Sequence, residues 1–170
     1  LKSQRTKLAA ELRGITRASG NKLLIANDAD LAARLGADGI HLSEDRAGQA
    51  FHWRALHPRW IITAAAHNAR TTCLPALDAV FLSPVFATQS HPERVPLGGI
   101  MLRCIAMLAR APVYALGGID DRTVARLMDA PLIGLAAIGG LSAAGHQRRS
   151  PMPATDLKPP QRMSGFVKSL

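Results

Sequence analysis

The sequence predicts an α/β fold in which short parallel strands alternate with helices. Six short apolar segments recur between residues 22 and 138, and segments with helical periodicity separate them. The apolar segments have no polar face, which is typical of parallel strands covered by helices. The connections are short, which predicts right-handed strand–helix–strand units. Two architectures fit this pattern, an open doubly wound sheet and a (β/α)8 barrel.

The predicted elements follow in order from the N-terminus. A first helix is predicted over residues 3–18 because Leu8, Leu12 and Ile15 recur at helical spacing, and the turn formers at residues 19–21 end it. The predicted strands lie at residues 22–26, 38–42, 60–65, 79–83, 113–116 and 132–138. The predicted helices between them lie at residues 29–35, 49–56, 69–77, 100–110 and 122–128.

Local signals set several boundaries. Asn27 or Asp28 can cap the helix over residues 29–35, and Gly36 closes it. Pro75 weakens the helix over residues 69–77, since proline has no N–H to donate. Helical and strand periodicity ends after residue 141. Residues 1–141 are therefore predicted to form one domain, and residues 142–170 a basic, proline-rich tail without stable structure.

The composition limits the function classes. The chain has 170 residues, of which 48% are hydrophobic, and this predicts one folded domain. No segment reaches the roughly 18 consecutive apolar residues of a membrane span, and the N-terminal segment lacks the apolar core of a secretory signal. Cys73 and Cys104 lie far apart without metal-ligand spacing, so we expect two reduced thiols in a cytoplasmic protein.

The net charge of +9 is concentrated in residues 1–17 and in the last part of the chain. A basic protein can bind nucleic acid, but this chain has one Tyr and four Phe, and no aromatic residues alternate with its basic ones. We therefore predict a solvated helix face and a basic tail, with neither a nucleic-acid nor a membrane partner.

Polar or glycine residues follow every predicted strand. In chain order they are Asn27-Asp28, Ser43-Glu44-Asp45, His67-Asn68, Thr88 with Ser90, Gly117-Gly118 and Gly139-Gly140. Because the carboxyl ends of parallel strands meet at one edge, these residues are expected to converge. Each has a purely structural interpretation as a cap or turn residue. Their recurrence at every strand end favours a functional site.

The residue types indicate chemistry on phosphorylated small molecules. The two glycine pairs allow backbone N–H groups to approach a phosphate, and Thr88 and Ser90 add hydroxyl donors. Asp28 and Asp45 are oxygen ligands suited to Mg²⁺. His67 is the one strand-end group that titrates near neutral pH, which makes it the candidate for proton transfer.

Four segments resemble the thiamine phosphate synthase family over residues 3–141. They are KLLIANDADLAARLGADGIHLSED, AVFLSPVFATQSHPERVPLGG, VYALGGID and GLAAIGG, and they occur in the family's order and spacing. The related thiazole tautomerases share the same segments. The resemblance implies a (β/α)8 barrel and a reaction that joins hydroxymethylpyrimidine pyrophosphate to thiazole phosphate, releasing pyrophosphate with the help of Mg²⁺. A homodimer is compatible with it.

The resemblance also implies roles for individual residues. Asn27 would contact the pyrimidine substrate, and Asp28 and Asp45 would hold Mg²⁺, with Glu44 as a rival for Asp45. His91 stands where the family has a lysine on the pyrophosphate, and Gly139 where it has a phosphate-binding serine. The residues that would bind the thiazole phosphate are Thr88, Gln89, Ser90, Gly117, Gly118, Ile138 and Gly139.

The departures from the family pattern define two alternatives. The six predicted strands are two fewer than the family barrel has, so we expect the chain to lack the first two strands. The second of these carries the family's pyrophosphate-binding run. The segments kept are mainly those of the thiazole phosphate half, which favours a tautomerase-like enzyme or thiazole-phosphate binder that uses His67. The other alternative is an inactive, truncated remnant.

Overall fold

The computed structural model describes residues 2–88, 92–136 and 166–168. The α-helices are α1 (Lys2–Ser19), α2 (Ala29–Leu35), α3 (Ala50–Leu56), α4 (Ala69–Thr72) and α5 (Gly98–Leu108). The strands are β1 (Lys22–Ala26), β2 (Gly39–Leu42), β3 (Ile61–Ala66), β4 (Ala79–Leu82), β5 (Val113–Leu116), β6 (Gly134–Ala136) and β7 (Phe166–Lys168). Two 3₁₀ helices lie at Glu44–Gln49 and Val124–Leu127.

All seven strands form one parallel sheet with the order β6-β5-β4-β3-β2-β1-β7. This confirms the predicted α/β fold. From β1 to β6 each strand lies beside its neighbour in the chain, as in part of a barrel. A doubly wound sheet reverses its strand order at a switch point, and the six strands from β1 to β6 contain no reversal. The run from β1 to β6 therefore matches part of a barrel, and β7 pairs with the other edge of β1.

Strand β7 lies within the segment predicted to lack stable structure. Its three residues pair in parallel with Lys22, Leu23 and Leu24 of β1. The structure therefore differs from the prediction at residues 166–168. The reason is that so short a segment carries no periodicity of its own, and its pairing depends on the free edge of β1, which is distant in sequence. The rest of the predicted tail lies outside the described residues.

The helices cover one face of the sheet. Alternate strand residues on that face, such as Ile25, Ile40, Ile62 and Leu82, are fully buried in two apolar clusters. The first cluster joins β1–β3 to α1, α2 and α3, and the second joins β4 and β5 to α5. On the opposite face, Phe81 of β4 and Tyr114 and Leu116 of β5 are only half-buried. None of the helices in the described part of the chain is long and apolar enough to span a membrane.

Most element boundaries lie within two residues of the sequence prediction, and β1, α2 and β5 agree with it at both ends. The helix predicted over residues 69–77 ends at Thr72, shortly before Pro75. The helix predicted over residues 122–128 is the 3₁₀ helix Val124–Leu127. The strand predicted over residues 132–138 is described only as β6, since residues 137 and 138 lie outside the described ranges.

Candidate functional site

Asn27 joins the loops that follow β1 and β2. Its backbone adopts a positive φ of 53°, a conformation that asparagine tolerates better than most residues. Its Oδ1 accepts hydrogen bonds from the backbone N–H of Ser43 at 2.8 Å and from the Ser43 hydroxyl at 3.3 Å. The side chain is exposed at the carboxyl end of the sheet. The two predicted metal-binding loops are therefore held side by side.

Asp28 has two partners in the structure. Its Oδ1 accepts the backbone N–H of Leu31 at 2.9 Å, which makes it the cap of α2. Its Oδ2 lies 3.6 Å from Nη1 of Arg5, a residue of α1. The same guanidinium donates a hydrogen bond to the carbonyl of Ala26. The predicted role of Asp28 as the cap of α2 is confirmed. The guanidinium group of Arg5 faces the same carboxylate.

Asp45 and Glu44 are placed differently, although they are adjacent in sequence. Asp45 is exposed, and its pKa lies below the usual range because the Ser43 hydroxyl and nearby backbone N–H groups stabilise the ionised form, with a further contribution from Arg46. Glu44 is half-buried and turned towards the loop after β3. Asp45 is thus the more accessible of the two rival metal ligands.

Oε1 of Glu44 accepts three hydrogen bonds from the loop between β3 and α4. The donors are the backbone N–H of His67 at 2.9 Å, Nδ2 of Asn68 at 2.9 Å and the hydroxyl of Thr71 at 3.0 Å. Asn68 in turn caps α4 through the backbone N–H of Thr71. One carboxylate oxygen therefore organises the segment that carries His67.

His67 lies directly after the last residue of β3 and is half-buried. Its Nδ1 is 2.6 Å from the carbonyl oxygen of Ser83, at the end of β4. A carbonyl oxygen can only accept a hydrogen bond, so Nδ1 carries the proton and donates it. Among the described residues, Nε2 of His67 has no hydrogen-bond partner. In the neutral ring Nε2 therefore presents a lone pair, which is the form that a proton acceptor requires.

The loop after β4 packs directly on the glycine turn after β5. The backbone N–H of Phe86 bonds to the carbonyl of Gly117 at 3.0 Å, and that of Val85 bonds to the carbonyl of Leu116 at 3.0 Å. Gly118 has a φ of +66°, and a Cβ there would lie 2.5 Å from the carbonyl oxygen of Ala87. The structure therefore needs glycine at position 118, and it holds Thr88 one residue beyond this contact.

The turn after Gly118 is closed by its own polar groups. The carboxylate of Asp120 accepts the backbone N–H groups of Arg122 at 2.9 Å and Thr123 at 3.0 Å. Hydrogen bonds from the Thr123 hydroxyl and from these N–H groups lower the pKa of Asp120. The Thr123 hydroxyl lies 3.0 Å from the carbonyl of Gly118, to which it can donate. Asp120 therefore closes the turn that leads into the 3₁₀ helix Val124–Leu127.

Five of the predicted site residues lie outside the described part of the chain. They are Gln89, Ser90, His91, Ile138 and Gly139. The structure therefore brings together two groups of predicted residues: Asn27, Asp28, Asp45 and His67 around the ends of β1–β3, and Thr88, Gly117 and Gly118 around the ends of β4 and β5. His67 connects the groups through its contact with Ser83.

Sequence reasoning missed a row of polar and aromatic side chains on the face opposite the helices. Nδ1 of His41 lies 2.9 Å from the hydroxyl of Thr63, and both residues are buried. The ring of Phe81 packs edge-on against His41 at 5.4 Å and stacks on Tyr114 at 5.0 Å. Partial burial raises the pKa of Tyr114. The alternation of side chains along β2–β5 predicts that these residues share one face of the sheet. It does not predict that they contact one another.

Two arginines near the ends of β1 and β2 were also missed. Arg5 contacts Ala26 and Asp28, as described above, and Nη1 of Arg46 lies 3.4 Å from the carbonyl oxygen of Asn27. In the sequence Arg5 belongs to the charged face of an amphipathic helix, which usually means a solvated residue. No cluster of three or more potential metal ligands of the His, Cys, Asp and Glu types occurs among the residues that the structure describes.

The chain is similar to known proteins over most of its length. The family model described as thiamine monophosphate synthase matches residues 2–141. The "Putative thiamine-phosphate synthase 2" of Aquifex aeolicus is 38% identical over 113 residues, which cover 65% of this chain and 60% of the relative. The "Thiamine-phosphate synthase" of Chloroflexus aurantiacus is 31% identical over 112 residues, which cover 64% of this chain and 51% of the relative. The chain thus spans only about half to three fifths of these relatives.

A solved structure shares the fold. It is the thiamine phosphate pyrophosphorylase from Pyrococcus furiosus, with a TM-score of 0.66 and 22% sequence identity. The match covers 81% of this chain and 67% of that one. At this identity the likeness supports the architecture alone. It agrees with the sequential parallel sheet described above.

Proposed function

This chain belongs to the thiamine monophosphate synthase family, and we propose that it acts in thiamine biosynthesis by joining hydroxymethylpyrimidine pyrophosphate to thiazole phosphate with release of pyrophosphate. The observation that carries the proposal is the family match over residues 2–141, which includes both groups of strand-end residues. The chain spans about half to three fifths of the length of these relatives.

The thiazole phosphate is proposed to bind where the loop after β4 meets the glycine turn after β5. Gly117 and Gly118 both have a positive φ, and Gly118 lets the backbone at Ala87 approach the turn closely. Small residues and backbone groups at such a turn are suited to a phosphate. Thr88 would contribute a hydroxyl, and we assign Gln89, Ser90, Ile138 and Gly139 to the same subsite from the family pattern.

The pyrophosphate end is proposed to lie over β1 and β2. Asp28 and Asp45 fit Mg²⁺ as a donor set, because two carboxylates on loops joined by Asn27 match the one or two that Mg²⁺ usually takes alongside substrate phosphates. When bound there, Mg²⁺ would neutralise charge on the departing pyrophosphate. Arg5 pairs with Asp28 and would have to share that carboxylate with the metal.

The chain's own residues would act mainly by positioning and charge. Asn27 would orient the pyrimidine at the end of β1, next to Arg5 and Arg46, whose guanidinium groups already lie on the carbonyls of Ala26 and Asn27. Two fixed cations beside a leaving group that gains negative charge lower the barrier without a covalent step. His91 is proposed to face the pyrophosphate from the loop after β4.

A second candidate function, tautomerisation of a thiazole phosphate, is supported by His67. The contact between Nδ1 and the Ser83 carbonyl leaves Nε2 as a proton acceptor. A tautomerase moves a proton between two positions of one substrate, so it needs His67 and the phosphate corner but no pyrophosphate site. The third reading, an inactive remnant, follows if neither reaction occurs.

Several finer properties are proposed on the same basis. We propose a barrel architecture, phosphorylated small molecules as the substrates, and no nucleic-acid partner. A homodimer would give the open sheet edges additional cover. A cytoplasmic location agrees with the free thiols of Cys73 and Cys104.

The test is a turnover assay on the purified chain with both synthase substrates, with and without Mg²⁺. We expect thiamine phosphate and pyrophosphate to form only when Mg²⁺ is present. Absence of product from a chain that melts cooperatively would overturn the synthase proposal. Metal-independent tautomerisation by the same sample would establish the second function in its place. No turnover together with no cooperative melt would support the inactive remnant.

A further inference from the structure

We propose that Glu44 is the positioning residue that holds His67 in its proton-accepting form. The inference rests on the proposed catalytic role of His67 and extends it to a residue that no family resemblance assigns to this task. Glu44 does not touch the imidazole ring. It acts on the backbone and neighbours of His67, and its effect on chemistry would be exerted through His67 alone.

Glu44 and Ser83 fix His67 from opposite sides. Oε1 of Glu44 accepts the backbone N–H of His67 at 2.9 Å, and the carbonyl of Ser83 accepts Nδ1–H of the ring at 2.6 Å. The first contact sets where the residue leaves β3, and the second sets the rotation and tautomer of the ring. Both are needed, because a shift of the backbone at residue 67 would carry the ring out of reach of Ser83.

The neighbours of His67 depend on the same oxygen. Nδ2 of Asn68 and the hydroxyl of Thr71 also donate to Oε1 of Glu44, at 2.9 Å and 3.0 Å. Thr71 is 5% exposed, so its hydroxyl has little access to water as a substitute acceptor. Loss of Glu44 would therefore release the whole turn from His67 to Thr71, and the start of α4 with it.

Two other roles for Glu44 would lead to different experimental results from those of a positioning role. As a metal ligand, Glu44 would affect Mg²⁺ dependence and leave the His67 tautomer unchanged. As a stabiliser of the α4 turn alone, Glu44 would affect the free energy of unfolding, and its removal would not be coupled to that of His67 in turnover. A positioning role predicts instead that Glu44 and His67 are coupled, both in the ring's proton distribution and in turnover.

The first experiment measures the ring nitrogens of His67 by ¹⁵N NMR in the free protein, with His67→Ala used to assign the signals. At a pH where the ring is neutral, we expect the wild type to hold the Nδ1–H tautomer. Glu44→Ala is expected to give a mixture of both tautomers, whereas Glu44→Gln keeps an acceptor oxygen and should restore the single form. Glu11→Ala, on the exposed face of α1, is the matched control. An unchanged tautomer in Glu44→Ala would overturn the proposal.

The second experiment is a double-mutant cycle with Glu44→Ala, His67→Ala and the double variant. It measures the rate of whichever proposed reaction the wild type catalyses. Misplacement of a catalytic group costs about 10- to 100-fold in rate, so we expect a loss of that size in kcat for Glu44→Ala, with little change in KM. The double variant should be no slower than His67→Ala. Independent, multiplying losses would overturn the proposal. If the wild type catalyses neither reaction, the proposed function fails, and the NMR result still decides the role of Glu44.

Discussion

Nη1 of Arg13 lies 2.6 Å from Oδ2 of Asp38, and this ion pair ties α1 to the start of β2. Both side chains are largely shielded, with 16% and 17% of their surfaces exposed. Asp38 also accepts the backbone N–H of Leu23 at 3.0 Å and the ammonium group of Lys22 at 3.2 Å. A single carboxylate thus joins α1, β1 and β2 at the end of the sheet opposite the candidate site.

The first prediction concerns the stability that Asp38 provides. Removal of its charge by Asp38→Asn leaves the shielded Arg13 without its partner, and we expect the free energy of unfolding to fall by about 1–3 kcal/mol. Chemical denaturation of the wild type, Asp38→Asn and the exposed control Asp121→Asn measures this. Equal stability of all three proteins would contradict the assignment.

The pH dependence of the same pair has a defined sign. Burial acts to raise the pKa of Asp38, but the Leu23 N–H and the charges of Lys22 and Arg13 outweigh it, and the pKa is lowered overall. The folded state therefore binds the proton less readily than the unfolded state. The stabilisation is present above the unfolded-state pKa of about 4 and is lost as the pH falls through the lower folded-state value. The stability difference between wild type and Asp38→Asn should shrink over that acidic range and stay constant near neutral pH.

The local signals in the sequence explain why much of the fold was predictable. The ends of α2 follow from Asp28, which caps it, and from Gly36, which adopts a left-handed conformation at its C-terminus. Both residues act within a few positions of the boundary that they set. Strand β1 is likewise predictable from its own run of apolar residues. By contrast, β7 depends on a pairing between residues about 140 positions apart, which no local pattern encodes.

The candidate site was predictable as a set of strand ends, but its internal contacts were not. Glu44 is 23 residues from His67, and the sequence indicates it only as a rival metal ligand. Arg5 reaches Asp28 from a helix whose charged face has no distinguishing pattern. These contacts depend on how side chains meet across neighbouring strands, and spacing along the chain specifies only which edge they share.

The second prediction concerns the glycine turn. Gly118→Ala would place a Cβ 2.5 Å from the Ala87 carbonyl at a φ of +66°, so the loop after β4 would have to move. We expect a loss of about 1–3 kcal/mol in stability and a large rise in KM for the thiazole phosphate. Thermal melting and substrate titration measure the two effects. Gly14→Ala is the control, because a Cβ at position 14 meets nothing within 4 Å and lies within α1. A Gly118→Ala protein with wild-type KM would argue against a phosphate at this turn.

The third prediction separates the capping role of Asp28 from metal binding. Asp28→Asn keeps an oxygen that can accept the Leu31 N–H, whereas Asp28→Ala loses the cap at a cost of about 1 kcal/mol. If Asp28 also holds Mg²⁺, both variants should lose synthase turnover and require more Mg²⁺ for half-maximal rate. Asp30→Asn, in the exposed first turn of α2, should behave as the wild type. Full activity in Asp28→Asn with lost activity in Asp28→Ala would leave Asp28 as a cap only.

The fourth prediction distinguishes the two proposed reactions through His67. Its Nε2 has the free lone pair that a proton acceptor needs. The rate of tautomerisation should therefore fall by a factor of about 100 to 10,000 in His67→Ala. The synthase reaction depends mainly on positioning and charge at Asp28, Asp45 and the arginines, and it should lose less. Rates of both reactions in the wild type, His67→Ala and the exposed control His52→Ala measure the difference. A His67→Ala protein that loses both reactions equally would mean that the synthase reaction also passes a proton through this imidazole.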